Sequence, residues 1–272
     1  MREICQTKLP VAPWMEDRTL RLPGLNPVAP GEWLLVDEAY GAQMAYRADL
    51  IRTRFQAVHR LDEAARPAAL ELLERVVLES KGMAGFTVSE SAVTCPDGRH
   101  VAIDREHPMV TLGHLVQEDF NILEKRGDQH VLTASILCFP ASWNLEEKFG
   151  RSLGSIHEPV DRYDPDIEKR VQRMFDLVPP ERPMWRANFL IYSDPDLFQP
   201  RRESERRVIS ADPPHWLRSE RQSVLKLPQT GAVVFSIHNY VLPLLALTKA
   251  QRESLLAVKG NDFFKVSGRS FG

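Results

Sequence analysis

The chain has 272 residues, of which 43% are hydrophobic and 26% charged, the proportions of an ordinary soluble globular protein. Its formal net charge of -2 argues against a nucleic-acid-binding protein, because such proteins usually carry a basic excess. Its cysteines are too few and too scattered for a disulfide scaffold or a Cys-x-x-Cys metal site. Since a signal peptide and an apolar stretch of membrane-spanning length are also lacking, we expect a cytoplasmic protein that binds neither membrane nor nucleic acid.

The first part of the chain predicts an extended arm followed by two helices. Residues 1–32 are rich in proline and lack periodicity, so we expect an arm that wraps the rest of the protein or stays mobile. Asp37 can cap a helix running to about Arg60, and Asp62 can cap a second helix with apolar residues at helical spacing. We interpret the pair as a helical hairpin with a packing role, at the start of a single domain that covers residues 33–272.

The middle and the end of the chain predict mostly strands. Short strand-like runs at 86–94 and 100–104 flank a Pro-Asp-Gly turn, which is typical of a hairpin. Longer runs follow at 115–124, 130–139, 185–192, 216–227 and 232–240, with helices predicted at 164–177 and from Thr248 to Gly260. Helices first and then mostly adjacent hairpins favour an α+β fold with an antiparallel sheet. No Gly-x-Gly-x-x-Gly motif is present, so we expect no Rossmann-type nucleotide site.

The predicted hairpin from Leu217 to Leu244 is the most informative segment, because it places charge on a strand. Strands favour apolar and β-branched residues, yet this one carries Arg218, Glu220, Arg221 and Gln222. On an ideal strand Arg218, Glu220 and Gln222 share one face, and Arg221 lies on the other. Such a cluster lies either on a solvated face or in a site that binds an anion, since a guanidinium pairs with carboxylates in a bidentate way.

Five blocks of sequence in a fixed order connect the chain to a known family. They are VQEDFNIL, CFPASWNLEEKFG, SIHEPVDRYD, WRANFLIY and the hairpin segment, with its Arg-x-Glu-Arg-Gln, Leu-Pro and Phe-x-Ile elements. With these blocks, which extend over roughly residues 33–243, the chain resembles the haem-dependent oxidative N-demethylase family. The resemblance implies a PAS-like fold, in which a curved antiparallel sheet with flanking helices holds haem b.

The resemblance also implies an activity. It implies a haem-dependent monooxygenase that removes an N-methyl group from a small secondary amine with O2 and externally supplied electrons, and that releases formaldehyde. A separate reductase with flavin and an iron–sulfur centre is the implied partner, because the chain shows no flavin, nicotinamide or iron–sulfur fingerprint. The alternative is a PAS-like module that binds haem or another small ligand without catalysis, since a fold does not determine a function.

Three residues are candidates for the iron ligand. His157 lies in SIHEPV, where Pro159 favours an extended chain that can hold an imidazole in a fixed direction. Within the family pattern we expect His157 to be the axial ligand, with a role in the distal pocket as the fallback. His238, at a position where the family more often has Arg, is the second candidate. Cys138, whose thiolate would favour O–O cleavage, is the third, although it also fits a small core residue.

Other residues of the matching blocks are candidates for holding the cofactor. Arg218 and Arg221 are expected to hold the carboxylates of the haem propionates. Arg186 and Asn188 repeat the family's Arg-x-Asn pattern and are expected to contribute to cofactor binding. Phe189 stands where the family usually has Trp, which keeps an aromatic wall but removes an indole donor.

Two carboxylates are candidates for catalysis. Glu220 can orient a guanidinium or pair with a cationic amine substrate. Glu118 and Asp119 are predicted to lie on opposite faces of a strand, so that one can bond a histidine and one can serve a proton relay. The other interpretation of that pair is a turn or an exposed ladder. We take Glu118 and Glu220 as the catalytic candidates.

Overall fold

The computed structural model describes residues 3–16, 19, 24–157, 172–180, 182–205 and 216–259. Its helices are α1 Tyr40–Thr53, α2 Phe55–Val58, α3 Arg66–Ser80, α4 Pro108–Leu115, α5 Leu145–Lys148, α6 Leu153–His157 and α7 Lys249–Lys259. Its strands are β1 Asn26–Pro27, β2 His59–Leu61, β3 Thr87–Val88, β4 Ala92–Thr94, β5 His100–Ala102, β6 Asp119–Arg126, β7 Gln129–Ile136, β8 Met184–Tyr192, β9 Trp216–Lys226 and β10 Val233–Pro243. The predicted helix at 164–177 lies partly outside the described residues, and its described part, 172–177, is helical. Helices combined with a large antiparallel sheet confirm the α+β fold class.

The two N-terminal helices begin a few residues after the predicted caps, because Ala39 directly precedes α1 and Ala65 directly precedes α3, and neither helix has a side-chain cap there among the described residues. The Asp37 carboxylate accepts a hydrogen bond from the backbone N–H of Ala39 at 2.9 Å, and α1 follows at once. The Asp62 carboxylate accepts from the N–H of Ala64 at 3.1 Å and opens a short 3-10 turn that leads into α3. These side chains satisfy backbone donors that a helix start leaves without partners.

The predicted end of the first helix, at about Arg60, was wrong. The chain leaves the helical conformation at Arg54, where φ is -129°, and α2 adds only one further turn. Residues 59–61 instead form β2, which pairs with β7 at the edge of the large sheet. In this pairing, backbone groups of residues 59–61 bond to β7 in place of a further helical turn.

The last helix begins with the predicted capping box. The backbone N–H of Thr248 donates to the Gln251 side chain at 3.0 Å, and the N–H of Gln251 donates to the Thr248 hydroxyl at 3.2 Å. This reciprocal pair fixes the start of α7. In the part of the chain that the structure describes, no helix has the length and apolar character of a membrane span.

A small sheet of β3, β4 and β5 precedes the large one. Its β4–β5 hairpin turns at Pro96-Asp97-Gly98, as predicted, with Gly98 at φ +82°. The strand predicted at 115–124 begins later, at Asp119, because α4 continues to Leu115.

The large sheet has seven antiparallel strands in the order β1-β8-β9-β10-β6-β7-β2. The β9–β10 hairpin forms where predicted, and β10 continues to Pro243. Its turn contains Gly231 at φ +72°. The Glu71 carboxylate of α3 accepts the backbone N–H groups of Gln229 at 2.7 Å and Thr230 at 2.8 Å, which fixes the turn against the helix.

Different parts of the chain cover the two faces of the large sheet. On one face, which we call the helical-pair face, strand residues such as Ile122 and Val234 share the main hydrophobic cluster with residues of α1, α3 and α4. On the other face, which we call the crossover face, Val224 and Val233 share a cluster with residues of the long connection from β7 to β8. That connection carries α5 and α6, so these helices cover the crossover face.

The described parts of the N-terminal arm wrap around the sheet. Gln6 and Val241 exchange two hydrogen bonds, one between their backbones at 2.9 Å and one from the Val241 N–H to the Gln6 side chain at 2.8 Å. The Trp14 side chain is buried, and its ring centroid lies 4.8 Å from that of Phe189. Strand β1 then pairs with the start of β8.

Candidate functional site

A row of polar side chains crosses the crossover face on β8 and β9. The register places Asn188 opposite Glu220 and Arg186 opposite Gln222, and alternation along β9 adds Arg218 to the same face. Polar groups under a covered sheet face cost free energy unless they are bonded. We therefore take the row as the candidate functional site.

Glu220 lies at the centre of this row and is 7% exposed. Its Oε2 accepts hydrogen bonds from Asn188 Nδ2 at 3.1 Å and from Gln222 Nε2 at 2.9 Å. Its Oε1 lies 3.8 Å from the Arg218 guanidinium. Two neutral amides thus fix the orientation of a carboxylate that also forms an ion pair with Arg218.

Arg218, expected to hold a propionate, is already occupied by protein acceptors. Its side chain is 1% exposed and donates to the carbonyl oxygens of Leu197 and Phe139. Its Nε and Nη2 both donate to Asn239 Oδ1, at 3.2 Å and 2.8 Å. These bonds join β9 to β10 and to two connections, so the geometry assigns Arg218 a supporting role beside Glu220 in place of an open anion site.

Arg186, a second cation on this face, has an unused hydrogen-bond donor. Its Nε is buried and has no hydrogen-bond partner among the residues that the structure describes. Burial lowers the pKa of Arg186, and the negative charge of Glu220 opposes that shift. A buried donor without a partner costs free energy, and a carboxylate ligand would remove that cost.

His157, the predicted iron ligand, is the last residue of α6, and packing fixes α6 on the crossover face. Leu153 shares a cluster with residues of β6, β9 and β10. Ile156 packs against a second cluster that includes Ile237 of β10. The backbone of His157 therefore lies over the sheet face that carries Glu220, while its side chain lies outside the described part of the structure.

His238, the second candidate ligand, lies on the helical-pair face with both ring nitrogens engaged. Nδ1 lies 3.0 Å from Glu118 Oε1, and Nε2 lies 3.1 Å from Asp37 Oδ2. Burial alone would lower the pKa of His238, but the two carboxylates outweigh burial and raise it to about 9. His238 therefore has no nitrogen left for iron.

Glu118 is separated from Glu220 by the sheet. The expectation that one of the two adjacent carboxylates bonds a histidine is confirmed, since Glu118 bonds His238. Its neighbour Asp119 instead forms a buried ion pair with Arg47 at 2.7 Å. Glu118 is 1% exposed and also accepts a hydrogen bond from the backbone N–H of Leu35 at 2.9 Å.

Arg221, also expected to hold a propionate, lies on the helical-pair face, away from the polar row. Its guanidinium donates to the carbonyl oxygens of Glu32 at 2.7 Å and Trp33 at 3.3 Å. It also lies 5.1 Å from the centre of the Trp185 ring, within the range of a cation–π contact. Arg221 therefore fastens the arm to the sheet and does not join Arg186.

Cys138, the third candidate ligand, lies in the core. Burial raises the pKa of its thiol to about 12, which disfavours the thiolate that binds metals. Phe189 lies on the helical-pair face against Trp14, so its difference from the family pattern lies outside the polar row. Across the described ranges, no group of three or more His, Cys, Asp and Glu side chains is arranged to hold a metal ion. Haem iron needs fewer protein ligands than such a group supplies.

Sequence reasoning missed two partners of these residues. Asp37, predicted only as a helix cap, also bonds His238; burial alone would raise the pKa of Asp37, but this bond and two amide bonds hold it below its usual range. Asn239, the acceptor of Arg218, lies opposite Glu220 in the β9–β10 register. The predicted hairpin turn could have revealed this second partner, because the length of the turn sets which residues of β9 and β10 lie opposite each other.

The fold and the polar row define a class of protein, an α+β protein with a charged row of side chains, the candidate site, on a covered sheet face. A family model described as haem-dependent oxidative N-demethylase, alpha subunit-like, matches residues 24–260. The chain belongs to this family, and the resemblance of its five sequence blocks is confirmed. No curated protein matches the chain.

Proposed function

We propose that this chain binds haem b on the crossover face and removes an N-methyl group from a small secondary amine, with O2 and external electrons, releasing formaldehyde. Family membership supports the cofactor class and the type of reaction. The observation that carries the proposal is the polar row of Arg186, Asn188, Glu220 and Gln222 on the face that also carries the end of α6.

The residues of the crossover face fit a haem in two respects. His157, at the end of α6, would supply an imidazole to the iron. Arg186 would hold a propionate, because its buried Nε has no partner in the described part of the chain. The row contains two guanidinium groups, of Arg186 and Arg218, and one carboxylate, of Glu220, so one further carboxylate would balance its charge. A PAS-like fold belongs to the same proposal, supported by a large antiparallel sheet with flanking helices.

The chain's own residues would bind and orient the amine. Bound haem supplies the activation of O2 that oxidation of a methyl group requires. A small secondary amine is cationic near neutral pH, and Glu220 would accept its N–H. Asn188 and Gln222 hold the Glu220 carboxylate in one orientation, so the amine and its methyl group are presented in one direction. Oε1 of Glu220 is the oxygen that would accept the ammonium N–H, because Oε2 already accepts from both amides.

A separate protein with flavin and an iron–sulfur centre would supply the electrons. The chain's three cysteines are Cys5, Cys95 and Cys138, all buried and without disulfides. They are fewer than the four thiolates that an iron–sulfur cluster normally takes. The description of the family as alpha subunit-like also supports an assembly with other subunits.

Absorption spectra of the purified protein, as isolated, reduced, and reduced with CO, test the cofactor. We expect a Soret band and a CO adduct of the imidazole type that is lost in His157→Ala. A thiolate-type adduct would reassign the ligand, and no Soret band after addition of haem would overturn the proposal.

Oxygen uptake tests the reaction. With an artificial electron donor and a panel of short dialkylamines, we expect amine-dependent O2 consumption and one formaldehyde per amine consumed. Haem binding without turnover of any amine would instead support the alternative function, a PAS-like module that binds haem without catalysis.

A further inference from the structure

Lys148, the last residue of α5, is a buried lysine in the connection from β7 to β8. Its side chain is 6% exposed and forms an ion pair with Glu203. Its Nζ also donates to the carbonyl oxygen of Ile156 at 2.8 Å. Lysine is almost never fully buried unless it is paired, and these two acceptors provide the pairing here.

The acceptor of Lys148 lies at the C-terminal end of α6. The last carbonyls of a helix have no partner within the helix, and a cation close to them is favourable. Ile156 directly precedes His157, the residue proposed to hold the iron. The bond from Lys148 therefore fixes the backbone from which that imidazole projects.

Both ends of this contact are anchored. The chain around Lys148 follows β7, where the backbone of Leu132 bonds Gly150 at 2.9 Å and Arg151 at 3.1 Å. Glu203 also pairs with Arg151 at 3.1 Å, and the hydrogen bond from Lys148 holds the pKa of the Glu203 carboxyl below its usual range. Glu203 lies in the connection between β8 and β9, so the pair joins the two connections on either side of β8.

We propose that Lys148 is a positioning residue for His157 and that Glu203 holds Lys148 in place. This inference rests on the proposed function. The ammonium fixes the last turn of α6 and with it the backbone of His157. Outer partners that orient a metal-binding histidine typically change metal affinity about 10- to 100-fold.

Haem titration of the full chain tests the inference. Lys148→Met keeps a long apolar stem and removes the donor and the charge. We expect its haem affinity to fall about 10-fold or more and its CO adduct to lose part of the imidazole signature. Lys148→Arg, which keeps a cationic donor, is expected to restore the signature. Lys125→Met is the matched control, because Lys125 pairs at 2.6 Å with Asp176 elsewhere in the same connection. The haem affinity of Lys125→Met is expected to stay unchanged.

A double-mutant cycle with His157→Ala separates positioning from general support of the fold. If Lys148 acts through His157, Lys148→Met weakens haem binding in the native chain and hardly changes it when His157 is already alanine. Equal losses in both backgrounds would overturn the inference, as would an unchanged affinity in the native chain. Where His157→Ala binds no haem, the spectrum decides, and an unaltered imidazole signature in Lys148→Met overturns it. Failure of the native chain to bind haem is a different result, because it overturns the proposed function before any variant is compared.

Discussion

Two cations on opposite faces of the large sheet, His238 and Arg186, differ in how far their hydrogen-bonding groups are used. On the helical-pair face, His238 lies between Asp37 and Glu118, and both of its ring nitrogens are engaged. On the crossover face, Arg186 keeps a buried Nε that has no partner in the described residues. Burial alone therefore does not mark a functional cation. The proposed role of Arg186 rests instead on its unused donor, because an unpartnered buried donor is costly and calls for an explanation.

Carboxylates on the two faces also differ in their partners. Glu118 and Asp37 share the single charge of His238 and connect β10 to the chain that leads into α1. Glu220 is instead oriented by two neutral amides, with the Arg218 guanidinium 3.8 Å from its other oxygen. The first arrangement fastens parts of the protein together, and the second is the one that we propose binds the amine.

Removal of the cation on the helical-pair face is the strongest test of this comparison. In His238→Leu, the carboxylates of Asp37 and Glu118 stay buried without their cation, so we expect a loss of about 3–5 kcal/mol in the free energy of unfolding. Urea-induced unfolding measures this loss. His238→Arg, which supplies a cation at the same position, is the control and should lose much less. An unaltered stability of His238→Leu would show that the network contributes nothing.

The pH dependence of stability tests the same network with a smaller effect. The folded-state pKa of His238, about 9, lies above its usual 6.5. The imidazolium therefore contributes stability that is fully present below about pH 6.5 and is lost as the pH rises through about 9. We expect the free energy of unfolding to fall by up to about 1.4 kcal/mol per pH unit in that window. Since arginine stays charged there, His238→Arg should show a flatter profile between pH 7 and 9, and parallel profiles would refute the assignment.

Local features of this fold were predictable because they depend on nearby residues. The capping box of Thr248 and Gln251 forms as expected. The alternation along β9 correctly places Arg218 and Glu220 on one face and Arg221 on the other, since the side-chain period of a strand is two. The hairpin turn then sets which residues of β9 and β10 lie opposite each other.

The distribution of charges between the faces was not predictable from local patterns. His238 and Asp37 are 201 residues apart in sequence, and their contact depends on where the N-terminal chain docks. His238 meets Glu118 because β10 pairs with β6, a neighbour that local periodicity does not specify. Whether Arg218 and Arg221 are free to hold propionates depends on the acceptors around each guanidinium. Only the packed structure shows those acceptors.

On the crossover face, Glu220→Gln tests the proposed contact between the negative charge of Glu220 and the amine. The amide keeps the shape of the side chain but removes the negative charge, so we expect the KM for the amine to rise about tenfold, equivalent to about 1.4 kcal/mol. Steady-state oxygen uptake measures this change. Haem affinity should change little, because Arg186 and His157 are the proposed cofactor contacts.

Glu118→Gln is the matched control for that experiment, with the same chemical change on the opposite face. It should leave the KM for the amine unchanged, whatever it does to stability. If both variants raised the KM equally, the assignment of Glu220 to the amine would fail, because the effect would then reflect loss of charge anywhere near the sheet.

Removal of the Arg186 guanidinium from the crossover face should have the smallest effect on stability. In Arg186→Leu, Glu220 still has Arg218 at 3.8 Å, and a buried Nε without a described partner is eliminated. We therefore expect the haem-free protein to be unchanged or more stable by up to about 1 kcal/mol, because an unsatisfied buried donor is removed. Urea-induced unfolding of the haem-free chain measures this difference.

Haem titration of the same variant separates a ligand site from a structural one. Arg186→Leu should bind haem more weakly although it folds at least as well, and Arg186→Lys should recover part of the affinity, because lysine keeps the charge but not the bidentate geometry. Stability and affinity thus move in opposite directions on the crossover face, whereas His238→Leu lowers stability. If Arg186→Leu destabilised the haem-free chain as strongly as His238→Leu, the two cations would have the same structural role, and the distinction between the two faces would not hold.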